Sequence, residues 1–112
     1  MSFSIDFEGI VYSCGSNEYG QLGLGDTIDR NIPIKIENLP PIKYVACGNG
    51  YTLFVDFDNI VYSCGNNNSG ELGLGDTNDR NIPSKIENLP PIDNLGKPGE
   101  ITKYYKSARN AI

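Results

Sequence analysis

The residues of this 112-residue chain that could do chemistry are 14 carboxylates and three cysteines, and the sequence contains no histidine. Histidine is the usual general base near neutral pH, so no nucleophile–base pair can be drawn, and no pair of carboxylates stands out. Structural zinc sites need four closely spaced cysteine or histidine ligands, whereas Cys14, Cys47 and Cys64 lie far apart in the sequence. We therefore predict no catalytic residue, no metal and no cofactor, and we interpret the cysteines as buried free thiols.

Two glycine-rich or acidic segments deserve comparison with known ligand loops. The segment GQLGLGD spaces its glycines as GxxGxG, the reverse of the dinucleotide fingerprint, and no helical pattern follows it. The segment DTNDRN at 76–81 lacks the glycine and the glutamate of a calcium loop. Structural turns are the favoured interpretation of both segments.

A long internal repeat accounts for both segments. Residues 6–42 and 56–92 agree at 29 of 37 aligned positions, with a period of 50 residues. Runs rich in β-branched and aromatic residues, bounded by turn formers, predict strands at 9–15, 32–39, 42–48, 51–57 and 59–65, and at the copy of 32–39 in the second unit. Residues 2–6 align with the last strand of a unit and are the seventh predicted strand. No helical period appears in residues 1–92. We expect each unit of about four strands to form one small antiparallel sheet that needs a neighbour, as a propeller blade does.

The pattern VYSCGSNEYGQLGLGD…NIP…VACGNGYT resembles the repeat of the regulator of chromosome condensation family, and the resemblance covers residues 2–92. It implies a β-propeller, usually of seven blades, that serves as a surface for protein interaction. It also implies an alternative function, guanine-nucleotide exchange on a Ran-like GTPase. Two departures from the family pattern are the replacement of its usual tryptophan by Cys14 and Cys64, and of its usual histidine before threonine by Tyr51.

The repeated phrase predicts a corner that both blades need. Glycines permit tight turns, the leucines between them are expected to pack between adjacent blades, and an aspartate caps the turn. The predicted corner residues are Gly20, Leu22, Gly23, Leu24, Gly25 and Asp26, with their copies Gly70, Leu72, Gly73, Leu74, Gly75 and Asp76. Pro33 and Pro83 are expected to start the next strand. The charged residues Asp29, Arg30, Asp79 and Arg80 are interpreted either as partner contacts at the blade ends or as solvated loop charges.

The chain divides into a repeat region at 1–92, with units at 6–55 and 56–92, and a tail at 93–112. In the tail, apolar residues recur at helical spacing at Ile101, Tyr104, Tyr105, Ala108 and Ile112. A helix is favoured over a decayed strand. We expect the tail to cover the open blade edge, to dock on a partner, or to bind the acidic body of another copy.

Charge and hydropathy limit the class of partner. Residues 1–92 carry five basic and twelve acidic residues, a net charge of −7, whereas the tail carries +2. Nucleic-acid binding by the repeat region is therefore disfavoured. No apolar run is long enough to span a membrane, and the N-terminal sequence has no secretory pattern. We expect an intracellular protein, cytoplasmic or nuclear, rather than a secreted one.

The predicted fold class is all-β: a partial propeller of about two four-stranded antiparallel blades with a short helical or irregular tail. Seven strands cannot close a ring, since propellers have about 4–8 blades. The alternatives are a remnant of a longer protein, an open pair of blades, or a homo-oligomer in which three or four copies complete a ring. We expect a non-enzymatic interaction or assembly module with a protein partner.

Overall fold

The computed structural model describes residues 1–87, 89 and 105. These contain seven strands in two antiparallel sheets. The first sheet has the order β1 (Ser2–Ile5), β2 (Val11–Gly15), β3 (Arg30–Lys35), and the second has the order β4 (Ile42–Cys47), β5 (Tyr51–Asp56), β6 (Val61–Gly65), β7 (Arg80–Lys85). The prediction of an all-β fold with two small antiparallel sheets is confirmed, although the first described sheet has three strands instead of four.

The sequence repeat and the sheets are out of phase. The unit 6–55 contributes β2 and β3 to the first sheet but β4 and β5 to the second, because the chain passes from one sheet to the other between β3 and β4. The prediction that one repeat forms one sheet is therefore wrong. Each repeat supplies strands to two neighbouring sheets, and this arrangement ties the sheets together through the chain itself.

The prolines lie inside strands instead of starting them, so that prediction is wrong too. Pro33 is the fourth residue of β3 and Pro83 is the fourth residue of β7. Both strands are at the edge of their sheet, and in both the register with the neighbouring strand shifts at this point. An edge strand with a bulge tolerates proline because the missing N–H is not needed by the ladder.

Two equivalent aspartates shape the hairpins that precede β2 and β6. The Oδ1 atom of Asp6 accepts hydrogen bonds from the N–H groups of Glu8 and Ile10, and the Oδ1 atom of Asp56 accepts the equivalent two from Asp58 and Ile60. The fourth turn residue has positive φ in both hairpins, 83° at Gly9 and 62° at Asn59. Asparagine is among the few side chains that tolerate this conformation, so the turn survives the change of residue.

Apolar side chains form two cores, one on each side of the second sheet. The inner core lies between the sheets, and its buried members are Val11, Ile36, Ile42, Phe54 and Cys64. The outer core lies on the opposite face of the second sheet, and its buried members are Ala46, Tyr51, Leu53, Val55, Val61, Leu72, Ile86 and Tyr105. A thin sheet gains most of its buried area from a neighbour, so both faces of the second sheet are covered.

Most of the tail, including the predicted helix, lies outside the described residues. Tyr105 is described: its backbone is helical and its side chain is fully buried in the outer core. A helix with the length and apolarity to cross a membrane is absent from the part of the chain that the structure describes.

Candidate interaction site

A buried asparagine organises the corner of the first repeat. The side-chain nitrogen of Asn17 donates to the backbone oxygens of Asp26 and Ile28, at 3.1 and 3.0 Å, and to the Asp26 carboxylate at 3.1 Å. Its side-chain oxygen accepts from the N–H of Leu22 at 3.0 Å. Asn17 is fully buried, and these hydrogen bonds satisfy its side-chain amide, which would otherwise be an unpaired polar group in the core. It therefore holds both ends of the glycine-rich turn together.

The charged residues that follow the turn also belong to this network. The Oδ1 atom of Asp29 accepts from the N–H of Asn17 at 2.8 Å. Arg30 forms an ion pair with Asp26 at 2.8 Å, and this hydrogen bond, followed by the one from the N–H of Ile28, lowers the pKa of the Asp26 carboxyl below its ordinary value. These charges thus hold the loop in shape, and their role as partner contacts remains a prediction.

The second repeat copies the network. The N–H of Asn67 donates to Asp79 at 2.8 Å, and its side-chain nitrogen donates to Asp76 at 3.0 Å. Arg80 pairs with Asp76, whose pKa is lowered first by the N–H of Asn78 and then by Arg80. Sequence reasoning missed the two asparagines, although both copies carry asparagine three residues before the first corner glycine.

Two of the predicted corner leucines are fully buried and two are partly buried. Leu22 and Leu72 have no exposed surface, and Leu24 and Leu74 pack against the inner and outer cores respectively. All six corner glycines have φ between 68° and 87°. The corner aspartates, as described above, bind the asparagines and arginines of their own loops.

The sheets stack front to back. We call the face that carries Phe3, Ile5, Val11 and Ser13 the front face of the first sheet, and the face that carries Ser2, Ser4, Tyr12 and Cys14 its back face, as the strand register requires. The equivalent faces of the second sheet are the front face, with Leu53, Val55, Val61 and Ser63, and the back face, with Thr52, Phe54, Tyr62 and Cys64. The front face of the first sheet meets the back face of the second.

This contact, which we call the seam, has both apolar and polar parts. The rings of Phe3 and Phe54 meet edge to face, with centroids 6.1 Å apart. The hydroxyl of Thr52 donates to the backbone oxygen of Gln21 at 2.8 Å, and the Cys64 sulfur lies 3.5 Å from the same oxygen. Burial strongly raises the pKa of the Cys64 thiol. The seam therefore anchors the corner of the first repeat to the second sheet.

A cleft of about 300 Å³ opens across the seam at the corner end. It is lined by Tyr19 and Thr27 from the first repeat and by Asp79, Arg80, Asn81, Ile82 and Ser84 from the second. The structure thus brings two of the predicted partner residues, Asp79 and Arg80, against the other repeat, and it does not place Asp29 or Arg30 in this cleft. A hydrogen bond with Glu18, and then the charge of Glu18, raise the pKa of the Tyr19 phenol.

Two thin antiparallel sheets stacked front to back, with glycine-rich corners repeated at the same end, define adjacent blades of a β-propeller. The chain belongs to the regulator of chromosome condensation family. The family model described as "Regulator of chromosome condensation (RCC1) repeat" matches residues 8–55 and 58–93, and a second model of the same description matches residues 42–71.

Relatives with known names and structures support this assignment. The human protein "Regulator of chromosome condensation" is 49% identical over 45 residues, which cover 39% of this chain and 11% of that protein. The crystal structure of Prp20p from Saccharomyces cerevisiae matches with a TM-score of 0.69 and 28% identity, over 77% of this chain and 23% of that chain. Yeast RCC1 (Prp20) bound to Kap60 matches equally well, over 22% of its length. The chain spans about a tenth of the curated relative and under a quarter of the solved ones.

Proposed function

We propose that the chain is a non-enzymatic protein–protein interaction and assembly module, acting inside the cell, in which the cleft across the seam contacts a protein partner. The observation that carries the proposal is the composition of this cleft. Tyr19 and Thr27 come from one repeat, and Asp79 and Arg80 come from the other. Stacking of the repeats therefore creates a surface that neither repeat has alone.

The chemistry of the cleft suits a protein ligand. Tyrosine and arginine are enriched among the residues that dominate binding energy at protein interfaces. The repeat region has a net charge of −7, which favours a basic partner through long-range attraction. The solved relative Prp20p is described together with its binding to Gsp1p and histones, and in another structure it is bound to Kap60. We take histones, Gsp1p and Kap60 as the first candidate partners.

The chain offers a matched pair of positions for testing the cleft. Thr27 lines the cleft, whereas Thr77, its copy in the second repeat, is not among the lining residues. Both threonines are exposed, so arginine at either position leaves the core intact. Each candidate partner is titrated against the full chain, and Thr27→Arg is expected to weaken binding at least about tenfold while Thr77→Arg leaves it unchanged. Equal binding by both variants would remove the cleft from the proposal.

Nucleotide exchange is the competing function, and the description of Prp20p with Gsp1p is the observation that favours it. Release of a fluorescent guanine nucleotide from Gsp1p separates the two functions. We expect the chain to leave the release rate unchanged, because it covers only 23% of the Prp20p chain. Accelerated release would favour the exchange function instead.

The assembly part of the proposal is tested by light scattering. We expect the mass to rise with concentration from that of one chain towards that of a small closed oligomer. A remnant with no independent fold would instead give large aggregates and little cooperative unfolding.

A further inference from the structure

The front face of the second sheet has the composition of a seam with no third sheet against it among the described residues. Val61, Leu72 and Ile86 occupy the positions that Val11, Leu22 and Ile36 occupy in the first repeat. All six side chains are buried. In the first repeat the cover for this apolar surface comes from the back face of the second sheet, and in the second repeat the outer core includes Tyr105 of the tail.

Tyr105 reproduces contacts that the second sheet makes in the seam. Its hydroxyl donates to the backbone oxygen of Glu71 at 2.7 Å, whereas the hydroxyl of Thr52 donates to the backbone oxygen of Gln21, the residue equivalent to Glu71, at 2.8 Å. The centroid of its ring lies 6.4 Å from the centroid of the Tyr51 ring in the outer core. Tyr105 thus makes, at the backbone oxygen of Glu71, the hydrogen bond that a neighbouring sheet makes at the equivalent oxygen of Gln21.

The approach to the corner glycine is equivalent as well. A Cβ atom built on Gly73 would lie 2.7 Å from the Tyr105 hydroxyl, and one built on Gly23 would lie 3.5 Å from the Cys64 sulfur and 3.1 Å from Pro83. Tyr105 therefore sits closer to its glycine than the second sheet sits to Gly23. A Cβ atom on Gly73 would therefore require the Tyr105 hydroxyl to move.

We propose that the front face of the second sheet is a docking surface for the first sheet of a second copy of this chain, and that Tyr105 competes with that copy for the surface. This proposal rests on the assembly function proposed above. It identifies the surface through which the copies associate and the residue that opposes their association. Tyr105 covers the surface at low concentration, and the back face of another copy displaces it at high concentration.

The exposed back face of the first sheet supports a second copy as the occupant. Ser2, Tyr12 and Cys14 stand where Thr52, Tyr62 and Cys64 stand on the back face that fills the seam. The Ser2 hydroxyl could thus donate to the backbone oxygen of Glu71, as Thr52 does to Gln21. The tyrosine and the cysteine are the same residue types on both back faces. Ser2 and Ser4 are exposed in this chain.

Two mismatches explain why a tyrosine can compete: the first described sheet has no counterpart of β4, which supplies Ile42 and Val45 to the inner core, and the two sheets differ at the position of Phe54. Ser4 stands where the fully buried Phe54 stands in the seam. A docked copy would lack that phenyl ring and leave a cavity, so its contact is weaker than the seam within the chain. An intramolecular competitor has the advantage of a high effective concentration.

The test measures mass by light scattering over a range of concentrations for the full chain and its variants. Tyr105→Ala is expected to lower the dissociation constant for self-association at least about tenfold. Adding Ser4→Phe, which supplies the missing ring, is expected to strengthen association further, and adding Ser4→Arg is expected to restore a single chain. Glu8→Phe and Glu8→Arg, at an exposed hairpin position, are the matched controls and should change nothing.

A second pair of variants tests the same proposal if Tyr105→Ala does not fold. Gly73 and Gly70 have nearly the same φ, 68° and 72°, but a Cβ atom on Gly70 meets no atom within 4 Å. Gly73→Ala displaces the Tyr105 hydroxyl from the Glu71 oxygen and should promote association, whereas Gly70→Ala carries the same backbone strain without that displacement and should not. Circular dichroism checks that each variant is folded.

Three outcomes would overturn the proposal: equal masses for the wild type and both tail-releasing variants, association that persists with Ser4→Arg, or no gain with Ser4→Phe. None of these measurements involves the cleft. The comparison of Thr27→Arg with Thr77→Arg therefore judges partner binding separately from docking.

Discussion

Cys14 and Cys64 occupy the same position in two nearly identical copies of one sequence, yet they have different surroundings. Cys64 is fully buried in the seam, whereas Cys14, on the back face of the first sheet, is partly exposed. Cys47 is exposed, so the prediction of three buried thiols holds for Cys64 and is wrong for Cys47. The same contrast separates Pro83, which is buried, from Pro33, which is exposed. At these two positions, burial thus depends on which neighbour the copy has, since the residue itself is the same in both copies.

Interactions within a repeat, by contrast, are the same in both copies. Asn17 and Asn67 make equivalent hydrogen bonds, and both are fully buried. Their partners lie within twelve residues along the chain. Hydrogen bonds of this kind form within one repeat and need no neighbouring blade. Their stabilising effect should therefore be the same in both copies, whereas the effect of seam contacts should differ.

The largest expected effect comes from the seam's central aromatic residue. Phe54→Ala should lower the free energy of unfolding by about 3–5 kcal/mol, because the ring is fully buried between the sheets. Ser4→Ala, at the equivalent position of the first sheet, should change it by less than about 0.5 kcal/mol because Ser4 is exposed. Urea unfolding measures both, and equal losses would contradict the assignment of the seam.

The first corner glycines provide the next comparison. Alanine at either Gly20 or Gly70 meets positive φ, 81° and 72°, which costs about 1–2 kcal/mol. At Gly20 the new Cβ atom would also lie 2.6 Å from the Cα atom of Asn81 in the other sheet, and such overpacking adds about 1–3 kcal/mol. Thermal unfolding of the two variants should therefore show the larger loss for Gly20→Ala. Similar losses of stability in the two variants would mean that the seam rearranges to accommodate the added Cβ atom at Gly20.

Thiol labelling reports on the same contrast without mutation. Cys64 should react with iodoacetamide at least about tenfold more slowly than Cys14, because its labelling needs the seam to open. Burial also raises its pKa and so reduces the thiolate that reacts. Mass spectrometry of peptides quantifies the labelling of both thiols, with Cys47 as an accessible internal control. Phe54→Ala should speed the labelling of Cys64 alone, and comparable rates in the wild type would contradict the seam.

The smallest effect concerns the corner carboxylates and should be equal in both repeats. The folded-state pKa values of Asp26 and Asp76 lie below the ordinary value of 3.8. Their ionised forms therefore stabilise the folded chain above about pH 4, and this stabilisation is lost as the pH falls further. Asp26→Asn and Asp76→Asn should each flatten the fall of the urea midpoint on acidification, unlike the exposed control Glu37→Gln. Unequal effects would show that the corners depend on their neighbours.

Much of the fold was predictable because its signals are local. Alternating β-branched and aromatic residues between turn formers predict the strands, and a period of 50 residues predicts the repeat. The corner segments were predicted as turns from their glycines, and glycine is the residue suited to a positive φ such as that of Gly20. The buried role of Asn17 was missed, since an asparagine next to glycine and serine is typical of an exposed loop.

The remaining errors have a common origin in strand pairing. Sequence spacing does not reveal which strands share a sheet, so the repeat was taken to coincide with the sheet. The position of Pro33 inside β3 depends on a register shift opposite β2, which is a property of the pair and not of either strand. Tyr105 belonged to a predicted helical stripe, but nothing local to it points to Gly73, 32 residues earlier.

The amino-acid sequence by itself determined the β class, the family of the repeat and the positions of the glycine corners, because strand propensity and turn chemistry act over a few residues. The tertiary structure decided that Cys64 and Pro83 are buried whereas their copies Cys14 and Pro33 are not, which residues meet across the cleft, and which surface Tyr105 covers. These depend on contacts between residues far apart in the chain, and two copies with nearly the same sequence acquire different environments when only one of them lies behind a neighbour.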